Sequence, residues 1–438
     1  MNRSNLTENE VTRMKKLFDG KNAYEFVQKI NFIRVGGTKA EKEAAEIIAK
    51  QIREIGLQPE YHDFSLATCH RFSSKMKILS PYEKEIKMTH RVISGGTPPD
   101  GLTADFKYID SGGERFCEDI EGKVVMTTGT VDRILYERLT RHHATAVIIP
   151  MEHNKELLGI TFNGDYVKKW GELPVCYISY NDALEMVKQN VSKVFLCIED
   201  ASDLEGVGRN IVAEIKGTYR PDEEFIFCGH FDSTLNHGIY DNAAGTSTVL
   251  ELARHFQNNP PKRTVRFILF SGEELGLRGS MAYVKALKSS EEALKRIKMV
   301  FNFDLGGTIL GKNCVRVTAG KSVYHYLDAL NIIEDLDMTI EYDIYSSDNM
   351  PFCGEGIPAV NFYRQALGLG HSWNDTIENI SPDAFEIIGN FALRFTLGIV
   401  NAPVLPFKRT IGKEMAKKVK VYLSRFGTEE PEPAEDDE

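Results

Sequence analysis

Two histidines and three carboxylates stand in order through the second half of the chain: His230, Asp241, Glu274, Asp304 and His371. Each lies at the end of an apolar, strand-like run or in the loop after one, and a further carboxylate, Glu273, directly precedes the third. Imidazole and carboxylate donors in this ratio suit a pair of divalent zinc ions sharing one bridging oxygen. Two such ions bring four positive charges against three negative ones, and the excess favours hydroxide near neutral pH. Zinc lowers the pKa of its water from about 15.7 to about 7. The chemistry expected of such a group is hydrolysis.

The surrounding residues say which elements must position these side chains. Phe225-Ile226-Phe227-Cys228 reads as a buried strand ending in Gly229-His230-Phe231-Asp232. Residues two apart in an extended chain point the same way, so Asp232 is expected to hydrogen-bond the distal ring nitrogen of His230 and fix its tautomer. Tyr240-Asp241-Asn242-Ala243-Ala244-Gly245 precedes a helical pattern (Val249, Leu250, Ala253, Phe256). Asp241 at that helix start has a plain alternative as an N-cap. Val265 to Phe270 reads as a second strand, followed by Ser271-Gly272-Glu273-Glu274-Leu275-Gly276, and Met299 to Phe303 as a third, ending at Asp304. The carboxyl ends of such strands open onto the crevice where α/β sheets bind ligands. Neighbouring side chains in the turn can diverge, which gives Glu274 as ligand and Glu273 as general base. His371, in Gly370-His371-Ser372-Trp373, would alone read as a structural or surface histidine, and only the ensemble promotes it.

Taken together, Cys228-Gly229-His230-Phe231-Asp232-Ser233, Asp241-Asn242-Ala243-Ala244-Gly245, Gly272-Glu273-Glu274-Leu275-Gly276-Leu277-Arg278-Gly279-Ser280, Asn302-Phe303-Asp304 and His371 with Asp375-Thr376 resemble the di-zinc aminopeptidases, a family that also contains glutamate carboxypeptidase. The resemblance implies an α/β fold of zinc-exopeptidase type, with a mixed, mainly parallel central sheet flanked by helices and a small β-rich domain inserted into it. It implies that Asp241 bridges two Zn2+ ions, that His230 and Asp304 complete one site, and that Glu274 and His371 complete the other. It also implies a cis peptide between Asp241 and Asn242. The activity implied is removal of N-terminal residues from peptides by a metal-bridging hydroxide, with Glu273 as base and Asp232 in support. Rival readings are a single-zinc acyl transferase of the glutaminyl cyclase type and a non-catalytic peptidase-like binding protein. Retention of every ligand and the base argues against both.

The chain departs from that family at two points. Many relatives carry Asp-His before Pro-Phe, whereas here the run is Asp348-Asn349-Met350-Pro351-Phe352. Many also have a tyrosine before the final ligand, where this chain has Gly370. Neither change removes a metal ligand. Both bear on the substrate pocket and the oxyanion, for which Tyr345 and Tyr363 are the substitutes considered.

A length of 438 residues favours more than one domain, and 42% hydrophobic content suffices for packed cores. The peptidase unit is expected at 1–66 and 206–404, with an insertion at 67–205 and a C-terminal helix and acidic tail at 405–438. Short β-like runs at 75–79, 123–127, 146–149 and 194–198 mark the insertion. Residues 119–126, a helix-like run to Thr140, and residues 144–149 are similar to the protease-associated domain, which implies a wall or lid over the crevice. Because all five ligands and Glu273 follow residue 205, the insertion is expected to be dispensable for forming the centre.

A formal net charge of −10 argues against a general nucleic-acid binder. The seven cysteines are scattered without CxxC spacing and suggest neither a zinc ribbon nor a disulfide framework. The first residues lack the apolar core of a signal peptide, and no run is long enough to span a bilayer, so a cytoplasmic location is expected. The partners expected are a peptide substrate, no nucleic acid, no membrane and, at most, a second copy of the chain in a homodimer.

Overall fold

The computed structural model describes residues 17–152 and 161–426. The start of the expected peptidase unit, residues 1–16, and the acidic tail from residue 427 lie outside the described residues.

A continuous apolar strand buried on both faces needs a helix layer on each side, and the first of two sheets is built this way. Its eight strands run in the spatial order Glu60–Ser65, Val207–Ile215, Arg263–Phe270, Arg220–His230, Ile297–Phe303, Ala359–Ala366, Gly311–Thr318 and Thr339–Glu341. The four strands from Arg263–Phe270 to Ala359–Ala366 pair in parallel, while the flanking strands on both sides join antiparallel. The architecture is therefore mixed, with a parallel centre.

Period-two alternation sends neighbouring side chains into different cores. Phe225 and Phe227 pack with Phe267, Phe301 and the helices Gly20–Lys29, Lys39–Ile55, Ala244–Asn258 and Pro382–Val400. Ile226 and Cys228 face the opposite way, onto Tyr283, Val284, Met350, Phe352, Val419 and Tyr422. Fully burying one such aromatic side chain contributes about 1.5–3 kcal/mol. Lys39–Ile55 shows why these segments are helical. Thr38 Oγ1 accepts the Glu41 N–H at 3.2 Å, Ala45, Ile48, Ile52 and Ile55 share the buried stripe, and Gly56 ends the helix at φ 96°.

The second sheet draws all its strands from residues between Thr68 and Asp203. The long pair Thr68–Ser80 and Lys193–Asp203 is antiparallel, and Leu102–Tyr108, Val124–Met126, Ala146–Pro150 and Val175–Ile178 follow as a parallel run. Its two faces have separate apolar clusters, one holding Val124, Met126 and Ile148, the other Val125, Val147 and Val175 with the helix Arg133–Arg141.

Near the C-terminus, the helix Lys413–Leu423 buries Met415, Val419 and Tyr422 against the first sheet's second face. Among the described residues, no helix is long and apolar enough to cross a membrane.

Candidate metal centre

The parallel strands deliver the ligands at their carboxyl ends. His230 closes Arg220–His230, Glu273 and Glu274 follow Arg263–Phe270, Asp304 follows Ile297–Phe303, and His371 lies in the loop after Ala359–Ala366. Asp241 enters from the turn before Ala244–Asn258, and the Asp241–Asn242 peptide is cis. Three non-glycine residues in these loops adopt left-handed backbone: Leu277 (φ 58°), Leu305 (φ 69°) and His371 (φ 51°). Such conformations cost of order 1–3 kcal/mol each and gather where a site over-determines its backbone. Close packing brings the pieces together, since a Cβ on Gly245 would stand 2.1 Å from the Phe303 carbonyl oxygen.

All five predicted ligands converge. His230 Nε2 is 3.2 Å from Asp241 Oδ1 and 3.5 Å from Asp304 Oδ1. His371 Nε2 is 3.3 Å from Asp241 Oδ2 and 3.1 Å from Glu274 Oε2. Asp241 thus presents one oxygen to each of two donor groups, His230/Asp241/Asp304 and Asp241/Glu274/His371. Glu273 adjoins the first, in reach of His230 and Glu274.

The spacing provides a test of fit. Zinc bound tetrahedrally to nitrogen and oxygen at about 2.0–2.1 Å would hold its ligand atoms roughly 3.3 Å apart. The observed separations of 3.1–3.5 Å match that spacing. His230 Nε2, Asp304 Oδ1 and Glu274 Oε1 are also buried without a hydrogen-bond partner. Buried polar atoms are rarely left so, and cations held by the two donor groups would satisfy them.

The electrostatics make the same demand. His371 is pushed up to about 12 by Glu274 foremost, with Asp241 adding and burial opposing. Burial alone would lower His230, yet Glu273, Asp232, Asp241 and Asp304 outweigh it and raise the imidazole well above its usual range. Glu273 is driven well above the carboxylate range by burial, then by Glu274, Asp304 and Asp348. Converging carboxylates in a desolvated site call for positive charge, to which the two imidazoles and buried Arg34 contribute.

A surrounding set of contacts fixes the ligand backbones. Asp232 places a carboxylate oxygen 3.5 Å from His230 Nδ1, but the Asp232 carbonyl is nearer, at 3.3 Å. Its carboxylate also accepts the N–H groups of Glu273 and Glu274, each at 3.2 Å. The N-cap alternative for Asp241 does not hold: the helix begins at Ala244, and Asn242 Oδ1 accepts the Gly245 N–H at 2.8 Å while Asp241 faces the histidines. Buried Arg34 gives guanidinium N–H groups to the carbonyls of Phe231, His237 and Gly238, stapling the loop between His230 and Asp241. Burial lowers Arg34 only to about 10, so it stays cationic at neutral pH.

The centre opens into a crevice of about 920 Å³. One wall comes from the second sheet's unit (Arg91, 130–134, Thr161, Phe162, Asn163, Tyr166), another from Tyr345, Ser346, Tyr422, Arg425 and Phe426. A wall from residues 67–205 was expected from the resemblance, though not its side chains, whereas the second wall was not anticipated; the spacing of Met415, Val419 and Tyr422 along one helix face was a usable signal for it. Of the two tyrosines considered for the oxyanion, Tyr345 lines the crevice, whereas Tyr363 is absent from its lining and directs its hydroxyl to Glu341 at 3.3 Å.

The chain is similar to known zinc peptidases in sequence and fold. The profile of Peptidase family M28 matches residues 210–396, the stretch that carries all the ligands. Aminopeptidase YwaD of Bacillus subtilis (strain 168) is 29% identical over 420 residues, spanning 92% of this chain and 89% of that protein. Carboxypeptidase Q of Bos taurus is 23% identical over 81% of this chain and 79% of its own. The crystal structure of BSAP, a zinc aminopeptidase from Bacillus subtilis, superposes with a TM-score of 0.74 at 26% identity, covering 91% of this chain and 99% of that one. The aminopeptidase from Aneurinibacillus sp. strain AM-1 shares the fold with a TM-score of 0.75 at 23% identity, covering 91% and 97%. Residues 210–396 thus match peptidase family M28, and the protein is a metallopeptidase similar to the zinc aminopeptidases.

Proposed function

We propose that this protein is a zinc-dependent exopeptidase that removes N-terminal residues from peptides, holding two ions through the bridging carboxylate of Asp241. The observation that carries the reading is the division of Asp241 between two donor groups, one oxygen near His230 and the other near His371. On this reading His230 and Asp304 complete one site, and Glu274 and His371 the other. When bound, zinc supplies a Lewis acid that polarises a carbonyl and acidifies water.

The chain's own residues supply the rest. Glu273 lines the crevice beside both donor groups, where it takes the proton of the attacking water and delivers it to the leaving amine. Asp232 holds the Glu273 and Glu274 backbones, so base and ligand keep their division of labour. Tyr345 is the crevice tyrosine suited to steady the developing oxyanion, because no side chain rises from Gly370 to do so. The unit at 67–205, read as a protease-associated-like insertion, forms a wall that selects peptide length.

The test is a matched peptide series with free, N-acetylated and C-amidated ends. An aminopeptidase loses turnover on N-acetylation and tolerates the amide. The opposite pattern overturns the aminopeptidase reading in favour of a carboxypeptidase. Cyclisation of N-terminal glutamine without hydrolysis would instead show an acyl transferase.

A further inference from the structure

The five ligands and the base all follow residue 205, but they do not stand free of what precedes it. Glu274 is fixed on both sides of its backbone. Its N–H donates to Asp232, just after the strand Arg220–His230, at 3.2 Å. Its carbonyl accepts from Thr161 Oγ1, in the second sheet's unit, at 2.5 Å. Four residues on, Arg278 makes a second link from the same loop. Its Nη1 meets Asp165 Oδ2 and its Nη2 meets Asn163 Oδ1, both at 2.5 Å, while Nε returns to the Leu275 carbonyl at 3.2 Å.

The contacting segment is itself anchored. Thr161 and Phe162 are buried, Phe162 N–H donates to the Val92 carbonyl at 2.8 Å, and Arg91 gives two bonds to the Thr161 carbonyl at 3.0 and 2.8 Å. Tyr166 donates to the Arg425 carbonyl at 3.0 Å, so the same short segment also holds the opposite wall of the crevice. A merely adjacent domain would not place a buried hydroxyl on the carbonyl of a metal ligand.

We propose that Thr161 and Arg278 are positioning residues of the metal centre, through which the second sheet's unit sets the orientation of Glu274 and the affinity of the Asp241/Glu274/His371 group for its ion. The proposal rests on the metallopeptidase reading. It replaces the expectation that the insertion is dispensable for forming the centre. The argument is one of leverage. The Glu274 side chain starts from a Cα whose flanking peptides are held by Asp232 on one side and Thr161 of the second sheet's unit on the other, and loss of one hold lets the carboxylate swing. Among the described residues, the group built on His230 and Asp304 has no hydrogen bond of this kind with the segment, so the effect is expected at one site. The Arg278–Asp165 pair is partly exposed, with 43% of the Asp165 side chain accessible, so its attraction alone is modest. What the pair contributes is the two-pronged geometry of the guanidinium, which a lysine cannot reproduce.

The experiment uses the full chain and Zn2+ alone, titrated against a chromophoric chelator to obtain both dissociation constants. Thr161→Val removes the hydroxyl at nearly constant shape, and Arg278→Met removes both prongs. Each should weaken one of the two sites by about 10–100-fold, the usual effect of losing a group that orients a ligand. The other site and the melting temperature of the metal-free protein should not change. Arg278→Lys should fall between Met and the unaltered protein, and combining Arg278→Met with Asp165→Asn should add little to Arg278→Met alone. Equal weakening of both sites, or unaltered constants in Thr161→Val and Arg278→Met, overturns the proposal. Failure of the unaltered protein to take up Zn2+ is a distinct result, which overturns the metal reading and this inference with it.

Discussion

Asp375 holds Asp241 by its backbone: the carboxylate accepts the Asp241 N–H at 3.1 Å, together with that of Tyr240 at 2.6 Å. Asp375 lies in the loop that also carries His371, so one loop provides a ligand and pins the residue that faces it. Replacing Asp375 with Ala leaves two buried N–H groups without partners, which costs about 1–3 kcal/mol each. Metal affinity is expected to fall by about 10–100-fold. Metal retention through dialysis, compared between Asp375→Ala and Asp375→Asn, measures this, and the Asn variant should keep part of the affinity because one oxygen remains.

The division between Glu273 and Glu274 is open to direct test. Glu273→Gln keeps the shape of the side chain and removes its basicity. Turnover should fall by about 10²–10⁴-fold with metal content nearly unchanged. Loss of metal together with activity would exchange the roles of the two residues.

Tyr345 is the proposed substitute for the tyrosine that many relatives carry where this chain has Gly370. Its hydroxyl stands 3.3 Å from the Asp304 carbonyl, at the crevice wall. Tyr345→Phe should lower kcat by roughly 10²-fold, the lower end for loss of an oxyanion donor, and leave KM within a few-fold. A change in KM alone would make Tyr345 a substrate contact instead.

Much of the centre was legible because its ligands follow uninterrupted apolar runs, and such runs end at one edge of a parallel sheet. His230 and Asp304 could be placed from the strands before them, and the Glu273-Glu274 turn from the strand ending at Phe270. What was not legible depends on contacts between distant segments. Thr161 and Tyr166 look like ordinary loop and helix residues until Glu274 and Arg425 are set beside them. Asp232 was read as a partner for the imidazole, since alternation places it on the His230 side. The two N–H groups it accepts come from a turn some forty residues later, which local alternation cannot reveal. Asp241 resembled a helix cap only because its neighbour Asn242 takes that part.

A pH effect on stability arises beside the Glu273 loop. Glu41 is fully buried, and burial raises its carboxyl from the ordinary value to about 7. The folded state therefore holds a proton that the unfolded state releases near pH 4.5, and stability falls as pH rises from about 4.5 to about 7. Glu41→Gln removes that titration, worth up to roughly 3 kcal/mol across the window. Denaturant midpoints at fixed metal loading should show the unaltered protein losing stability relative to Glu41→Gln over this range. Parallel curves for the two proteins would show that Glu41 titrates normally.

Metal stoichiometry tests the central claim most directly. Elemental analysis of the purified chain after equilibration with Zn2+ and removal of free ion should give two ions per chain. Asp241→Ala should lose both sites' tight binding, while Glu274→Ala should retain the ion at the His230 and Asp304 site. A single ion in the unaltered protein, or Asp241→Ala retaining the full complement, would contradict the assignment of Asp241 as the carboxylate that joins two sites.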